Sequence, residues 1–271
     1  MMSDFAVDVQ WVGALLRESA ERFLLPAYHR VTATPKPDGS IVTSADLESQ
    51  DFLQEALARR YPQIPLLGEE MTAAEQGQLM QSVELLWCLD PLDGTSNFAA
   101  GVPIFGISLA LLDAHGARQG WVYDPMRRDL FWAARRAGAF CNGDRLAYRQ
   151  APALQQSVGV VDYKRLHPEM AIRLVTRQPF HSQRNFGSCV LEWSWLAAGR
   201  YHFYLHGAQQ LWDWAAGGLF LQEAGGRLST LTGEALHANA LVKCSVLATL
   251  DPHLHEQWLT WIDREFPKSQ C

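Results

Sequence analysis

Apolar residues Val9, Val12, Leu15, Leu16, Ala20, Phe23 and Leu24 recur at three- and four-residue intervals, which predicts a helix from about Phe5 to Tyr28. Pro26 is expected to kink or end it. Thr34 to Ser40 carries Pro35, Pro37, Asp38 and Gly39 and reads as a loop. A short strand, Ile41 to Thr43, comes next, and Ser44 reads as the N-cap of a helix running to about Tyr61. Ile64 to Gly68 is a short strand leading into Glu69-Glu70. Leu85 to Leu89 and Phe105 to Leu112 are unbroken apolar runs of strand length, which predicts strands buried on both faces. The first of them is expected to stop at Asp90-Pro91. Gln119–Tyr123, Asp129–Ala133 and Ala139–Cys141 continue as strands between turn residues. The first half thus reads as helices followed by an antiparallel meander.

The second half alternates instead. Strands are predicted at Ser157–Val161, Tyr201–Leu205 and Val242–Ala248. Helices are predicted at His167–Thr176, Ser188–Ala198, Asp213–Ala224 and His253–Phe266. Such alternation argues an α/β arrangement. The pattern shifts near Gln150-Ala151-Pro152, so we expect halves at 1–150 and 151–271 forming one compact unit. No internal repeat or low-complexity tract is visible.

Composition narrows the function classes. The chain has 271 residues, 48% of them hydrophobic and 19% charged, which is a globular balance. The net charge is −6, so a general nucleic-acid coat is disfavoured. The five cysteines are scattered and form no C-x-x-C pair, which argues against a disulfide framework or a cysteine zinc site. They read as small core residues. No apolar run approaches the roughly 18–20 residues of a membrane span, and the start lacks a basic segment followed by an apolar one. The expectation is a cytoplasmic protein.

The chemistry concentrates in acids. The run Trp87-Cys88-Leu89-Asp90-Pro91-Leu92-Asp93-Gly94-Thr95-Ser96 delivers Asp90 and Asp93 to a strand's carboxyl end. Gly94 allows close backbone approach, and Thr95-Ser96 begins a short helix whose first N–H groups suit a phosphate oxygen. Carboxylates beside a phosphate repel it unless a hard cation lies between, and carboxylate oxygens suit Mg²⁺. Glu69-Glu70 and Asp213 are further carboxylate sources. Each signal alone also reads as a turn, a surface pair or an N-cap. Their order along the chain favours a metal site.

These residues resemble the inositol monophosphatase family of Mg²⁺-dependent, lithium-sensitive sugar phosphatases. The resemblance rests on Asp90-Pro91-Leu92-Asp93-Gly94-Thr95-Ser96-Asn97-Phe98 and on Trp212-Asp213-Trp214-Ala215-Ala216-Gly217 with Glu223-Ala224-Gly225-Gly226. Gly68-Glu69-Glu70, Val42-Thr43-Ser44-Ala45-Asp46 and Tyr123-Asp124-Pro125 ahead of Gly138-Ala139-Phe140-Cys141-Asn142-Gly143 also match.

The resemblance implies a layered αβαβα sandwich, usually dimeric, binding two or three Mg²⁺ ions. It implies that Glu69, Asp90 and the Leu92 carbonyl hold one ion, that Asp90, Asp93 and Asp213 hold a second, and that Glu69 with waters holds a weaker third. Gly94 and Thr95 would bind phosphate through backbone N–H groups. Asp46, Thr95 and Glu69 would activate water, with Glu70 beside the cluster. The implied reaction is hydrolysis of a small polyol phosphate, inositol monophosphate first, without a covalent intermediate. Alternatives on the same fold are a 3′(2′),5′-bisphosphate nucleotidase and a fructose-1,6-bisphosphatase. The competing class is a partner-binding regulatory protein.

Substrate selection departs from the pattern. The family's acidic residue seven positions before the Trp-Asp aspartate is replaced by His206, and the neighbouring glycine is displaced. An imidazole there hydrogen-bonds a hydroxyl when neutral, favours a second anion when protonated, or simply faces water at a strand edge. Ser188 lines the expected substrate pocket, and Glu192 contacts substrate or supports the site from behind. His202 stands where the family has Asp. Lys36 reads as a solvated loop lysine or one that reaches the phosphate. Trp193, Trp195, Trp212 and Trp214 gather on the same side, as core or as an aromatic wall suited to a base.

Overall fold

Alternating side chains along the central strands separate into distinct cores. Leu89, Leu109 and Trp121 pack with Val12, Leu16, Leu53 and Leu57 of the first helices. Their chain neighbours Cys88, Ala110 and Val122 pack instead with Leu191, Trp193, Ala216 and Phe220. Tyr204 and Val246 join that second core from another sheet, whereas Leu205 and Leu247 turn to Leu174, Trp258 and Ile262. A period of two thus places each sheet between helical layers, and covering both faces explains the unbroken apolar strands. The order is helix, sheet, helix, sheet, helix, as a computed structural model describes it for residues 7–36, 39–82, 84–238 and 241–266.

One sheet has seven strands, in the order Leu66–Gly68, Leu86–Asp93, Gly106–Asp113, Gly116–Asp124, Asp129–Ala134, Gly138–Cys141 and Asp144–Arg145. The first pair is parallel and the rest form the expected antiparallel meander. A second has five strands, in the order Ser182–Arg184, Val158–Asp162, Phe203–Gln209, Cys244–Thr249 and Arg227–Ser229, and Thr34–Pro35, expected as loop, pairs with Ile41–Val42 in a small third. Helices Cys189–Ala197 and Leu211–Glu223 fill the space between the sheets. Almost every residue of theirs is buried, so neither shows one apolar stripe.

Several local expectations need correction. The first helix runs from Val9 and widens over Ala20–Leu24, where the Leu25 N–H donates to the Ala20 carbonyl. It continues through Pro26 and stops after Ala27, so the proline sits in the final turn. Its predicted start at Phe5 lies outside the described residues. The N-cap of helix Ser44–Arg60 is Thr43, not Ser44, because Thr43 and Asp46 cap each other reciprocally. The strand expected to end at Asp90-Pro91 continues to Asp93, with its register slipping between Asp90 and Asp93. Pro91 interrupts the pairing without ending the strand. Helix Ala73–Ser82 and edge strands Ser182–Arg184 and Arg227–Ser229 have too few patterned residues to be legible beforehand. Among the described residues no helix is long and apolar enough to cross a membrane.

Candidate metal and phosphate site

The slipped strand end is where the acids meet. Asp90 and Asp93 leave the seven-stranded sheet there, and Asp213 comes from the first turn of helix Leu211–Glu223. Ligand oxygens of these three residues lie within 4.8 Å of one another. Asp90 is almost wholly buried, and its Oδ1 accepts the Leu92 N–H at 3.1 Å. Asp93 Oδ2 accepts the Ser188 hydroxyl and, at 3.1 Å, the Val190 N–H. Those groups open helix Cys189–Ala197, whose N-terminus favours the negative charge. Asp213 Oδ2 accepts the Gln210 N–H at 2.8 Å in a second reciprocal cap. Glu69 follows the parallel edge strand and lies close enough to Asp90 for each to feel the other's charge.

Crowding shifts all four acids upward. Burial is the main cause for Asp90, followed by the charges of Glu69, Asp93 and Asp213. Asp213 is raised by burial and then by Asp93 and Glu69. Glu69 is raised by burial, with Lys36 opposing. Asp93 is pushed up to about 7 by burial, against the pull of the Ser188 and Val190 donors. A cluster of oxygen donors with surplus negative charge fits a hard divalent cation. Glu69, Asp90, Asp93, Asp213 and the Leu92 carbonyl are the groups that would hold it.

Three further groups complete the site. Thr95 Oγ1 lies 3.1 Å from Asp46 Oδ1 and 3.0 Å from the Leu92 carbonyl oxygen. One hydroxyl proton cannot serve both acceptors at once. Asp46 is buried and pushed up to about 6, chiefly by burial, while its Oδ2 accepts the Thr43 N–H and hydroxyl. Gly94 has φ +84°, and a side chain there would meet the Ile104 carbonyl oxygen at 2.9 Å. Only glycine fits both constraints. Gly94 follows Asp93 and caps helix Thr95–Ala100, which ties the phosphate-side turn to the carboxylate cluster.

Lys36 is no solvated loop residue. Its Nζ donates to Glu69 at 3.1 Å and to Glu70 at 2.6 Å, and 18% of its side chain is exposed. The sequence carried no periodic signal for this contact, because the loop that makes it has none. Pro37 and Asp38 of the same loop lie outside the described residues.

The expected substrate residues divide differently. Ser188 is fully buried on Asp93 and so supports the acid cluster. Glu192 is 2% exposed, and its Oε1 accepts the Phe186 and Gly187 N–H groups at 2.7 and 3.0 Å. It holds that loop from behind. His206 lies not at a sheet edge but in the central strand Phe203–Gln209, 4% exposed. Burial, with Arg165 and Lys164 assisting and Asp162 opposing, lowers it to about 4 and keeps it neutral. His202 uses Nδ1 to accept the Val158 N–H at 3.0 Å, a bond within the sheet. The four tryptophans are 0 to 7% exposed and belong to the core between the sheets, so they form no open aromatic wall.

The shifts predict a metal-linked pH dependence. A carboxyl with a raised folded pKa keeps protons that the unfolded chain has released. Metal-free stability is therefore lost as pH rises from the ordinary 3.8 towards about 7 for Asp93, and towards about 6 for Asp46. His206 and His255, both lowered to about 4, act in the opposite sense: their contribution is full above their ordinary 6.5 and lost as pH falls. Neither is among the proposed metal ligands, so comparing Tm with and without Mg²⁺ at each pH removes most of their effect. The Tm gain from Mg²⁺ is expected to be larger near pH 7.5 than near pH 5.5. Equal gains at both would contradict it.

Known proteins resemble this chain over nearly its whole length. Residues 1–265 match the model of the Inositol monophosphatase family. The Nus factor SuhB of Pseudomonas aeruginosa is 32% identical over 259 residues, covering 89% of this chain and 92% of its own. The solved Thermotoga maritima IMPase superimposes with TM-score 0.82 at 27% identity, covering 94% of this chain and 96% of its own. An IMPase/NADP phosphatase solved with Mg²⁺ and phosphate superimposes with TM-score 0.79 at 25% identity, over 93% of this chain and 91% of its own.

Proposed function

The chain belongs to the inositol monophosphatase family, and we propose that it is a Mg²⁺-dependent phosphomonoesterase of small polyol phosphates, inositol monophosphate foremost. The convergence of Asp90, Asp93 and Asp213 to within 4.8 Å, from two separate elements, carries this reading. The two halves, 1–150 and 151–271, then form one catalytic unit, and a homodimer follows from the same reading. The solved relative holding Mg²⁺ and phosphate supports the choice of ion.

In this reading Glu69, Asp90 and the Leu92 carbonyl would hold one ion, Asp90, Asp93 and Asp213 would hold a second, and Glu69 would contribute to a weaker third. Bound Mg²⁺ lowers the pKa of water and offsets charge on phosphate and leaving oxygens. The chain itself does the rest. When the Thr95 hydroxyl gives its proton to Asp46, its lone pairs are free to accept from the attacking water. As the water's proton passes to Thr95 Oγ1, the hydroxyl's own proton passes to Asp46, and Glu69 orients the water. Thr95 and Gly94 set the phosphate against the first helical turn, and Ser188 with Val190 holds Asp93 still while charge moves.

The test is phosphate release, with and without Mg²⁺, from myo-inositol 1-phosphate, fructose 1,6-bisphosphate, 3′-phosphoadenosine 5′-phosphate and NADP. Preference for the inositol ester is expected. The buried tryptophans remove the structural argument for a nucleotidase. Preference for a nucleotide would overturn the substrate assignment and keep the metal chemistry. Turnover of none would favour a second reading, which the relative named as a Nus factor supports: a partner-binding protein, despite the net charge of −6. Retention of a macromolecular partner by an inactive variant distinguishes it.

A further inference from the structure

His206 stands where the family pattern has an acid, and its two ring nitrogens are both committed within the protein. Nδ1 accepts the Ala208 N–H at 3.1 Å, so the ring proton sits on Nε2. Nε2 faces Asp162 Oδ2 at 3.5 Å and Cys189 Sγ at 3.9 Å. Neither nitrogen is left for a substrate hydroxyl.

Asp162 has the capacity that His206 lacks. Strands Val158–Asp162 and Phe203–Gln209 run parallel, with Asp162 in register beside His206, so both residues lie at the sheet's carboxyl end. Helix Leu211–Glu223, which carries Asp213, starts directly beyond that end. On the other side, His206 touches Cys189, the residue after Ser188, which binds Asp93. Successive contacts through His206, Cys189 and Ser188 thus link Asp162 to Asp93 of the acid cluster. Its Oδ1 accepts the Lys164 N–H, and 16% of the side chain is exposed, against 5% for His206. A carboxylate oxygen has two lone pairs, so Oδ2 retains accepting capacity beyond its contact with the imidazole.

The displaced glycine belongs to the same device. A side chain at Gly207 would come within 1.8 Å of the Arg165 carbonyl oxygen. Glycine at 207 lets the turn Tyr163–Arg165, capped by Asp162, close onto the strand. The two departures from the family pattern, His206 and Gly207, are explained together: one orients Asp162 and the other admits its turn.

We infer that Asp162, set in place by His206 and Gly207, is the acceptor for the substrate's ring hydroxyls. The inference rests on the polyol phosphate reading above. A carboxyl that accepts hydroxyl protons discriminates against esters lacking them, since the group is then left without its partner.

The test compares kcat and KM for myo-inositol 1-phosphate and for phenyl phosphate, which has no hydroxyl beside its ester. Asp162→Asn is expected to raise KM for the inositol ester about tenfold or more, as for a lost charged hydrogen bond, with phenyl phosphate hydrolysis unchanged. His206→Gln and Gly207→Ala, both positioning changes, should move the same KM in the same direction with kcat nearly constant. Phenyl phosphate turnover also reports that each variant is folded. An Asp162→Asn enzyme that keeps its KM, or loses both substrates equally, would overturn the assignment while leaving the phosphatase reading intact. A wild-type protein that hydrolyses phenyl phosphate but not the inositol ester would overturn both the polyol reading and this subsite. Wild type inactive on both esters would likewise overturn the polyol reading and this subsite.

Discussion

Asp213→Asn is expected to lower Mg²⁺-dependent phosphate release on the order of 10³-fold and, at the same time, to raise the Tm of the metal-free protein. The two effects share one cause. Asp213 is raised by burial and by the charges of Asp93 and Glu69, so at neutral pH its ionised form is a cost to the empty fold. Asparagine removes that charge and keeps an oxygen for the Gln210 N–H, so the helix cap survives. The same change deletes one ligand from a set whose oxygens lie within 4.8 Å. Mg²⁺ should then raise the variant's Tm less than it raises the wild type's. A variant that loses activity and metal-free stability together would show Asp213 to be chiefly a structural cap.

Thr95→Ala is the second large effect. It is expected to reduce kcat about 10²-fold while leaving the Mg²⁺-induced Tm gain unchanged, because no side-chain metal ligand is removed. Thr95 lies between Asp46 and the Leu92 carbonyl, at 3.1 and 3.0 Å. Losing the hydroxyl leaves the attacking water without an acceptor and Asp46 Oδ1 without its donor. Thr95→Ser supplies the same oxygen and should recover most of the rate. If serine fails as badly as alanine, the hydroxyl is not what matters, and the methyl group's packing is.

Much of this site was legible beforehand because its signals are local. Asp90, Asp93 and Gly94 follow one another at the end of an apolar strand, and Asp213 precedes a run of small residues. Strands buried on both faces announce themselves as unbroken apolar runs, which is why the central strands of both sheets were found. What failed to show was long-range and polar. Lys36 meets Glu69 and Glu70 across more than thirty residues of chain. The bond from Ser188 to Asp93 spans 95 positions, and no periodicity encodes it. Asp162 gave no signal at all. A single aspartate at a strand end is unremarked until its neighbour His206 proves to have both nitrogens occupied. The tryptophans read as core or as an aromatic wall, which composition cannot tell apart, and the fold places them in the core between two sheets.

The central claim is that the converging acids form a Mg²⁺-dependent phosphatase site. The most direct measurement is inorganic phosphate released from myo-inositol 1-phosphate by the purified wild-type protein, first stripped of metal and then titrated with Mg²⁺. No turnover is expected in the stripped protein, and a saturable rise in rate as Mg²⁺ is added. Hydrolysis that proceeds at full rate in the stripped protein, or none at any Mg²⁺ concentration, would contradict it.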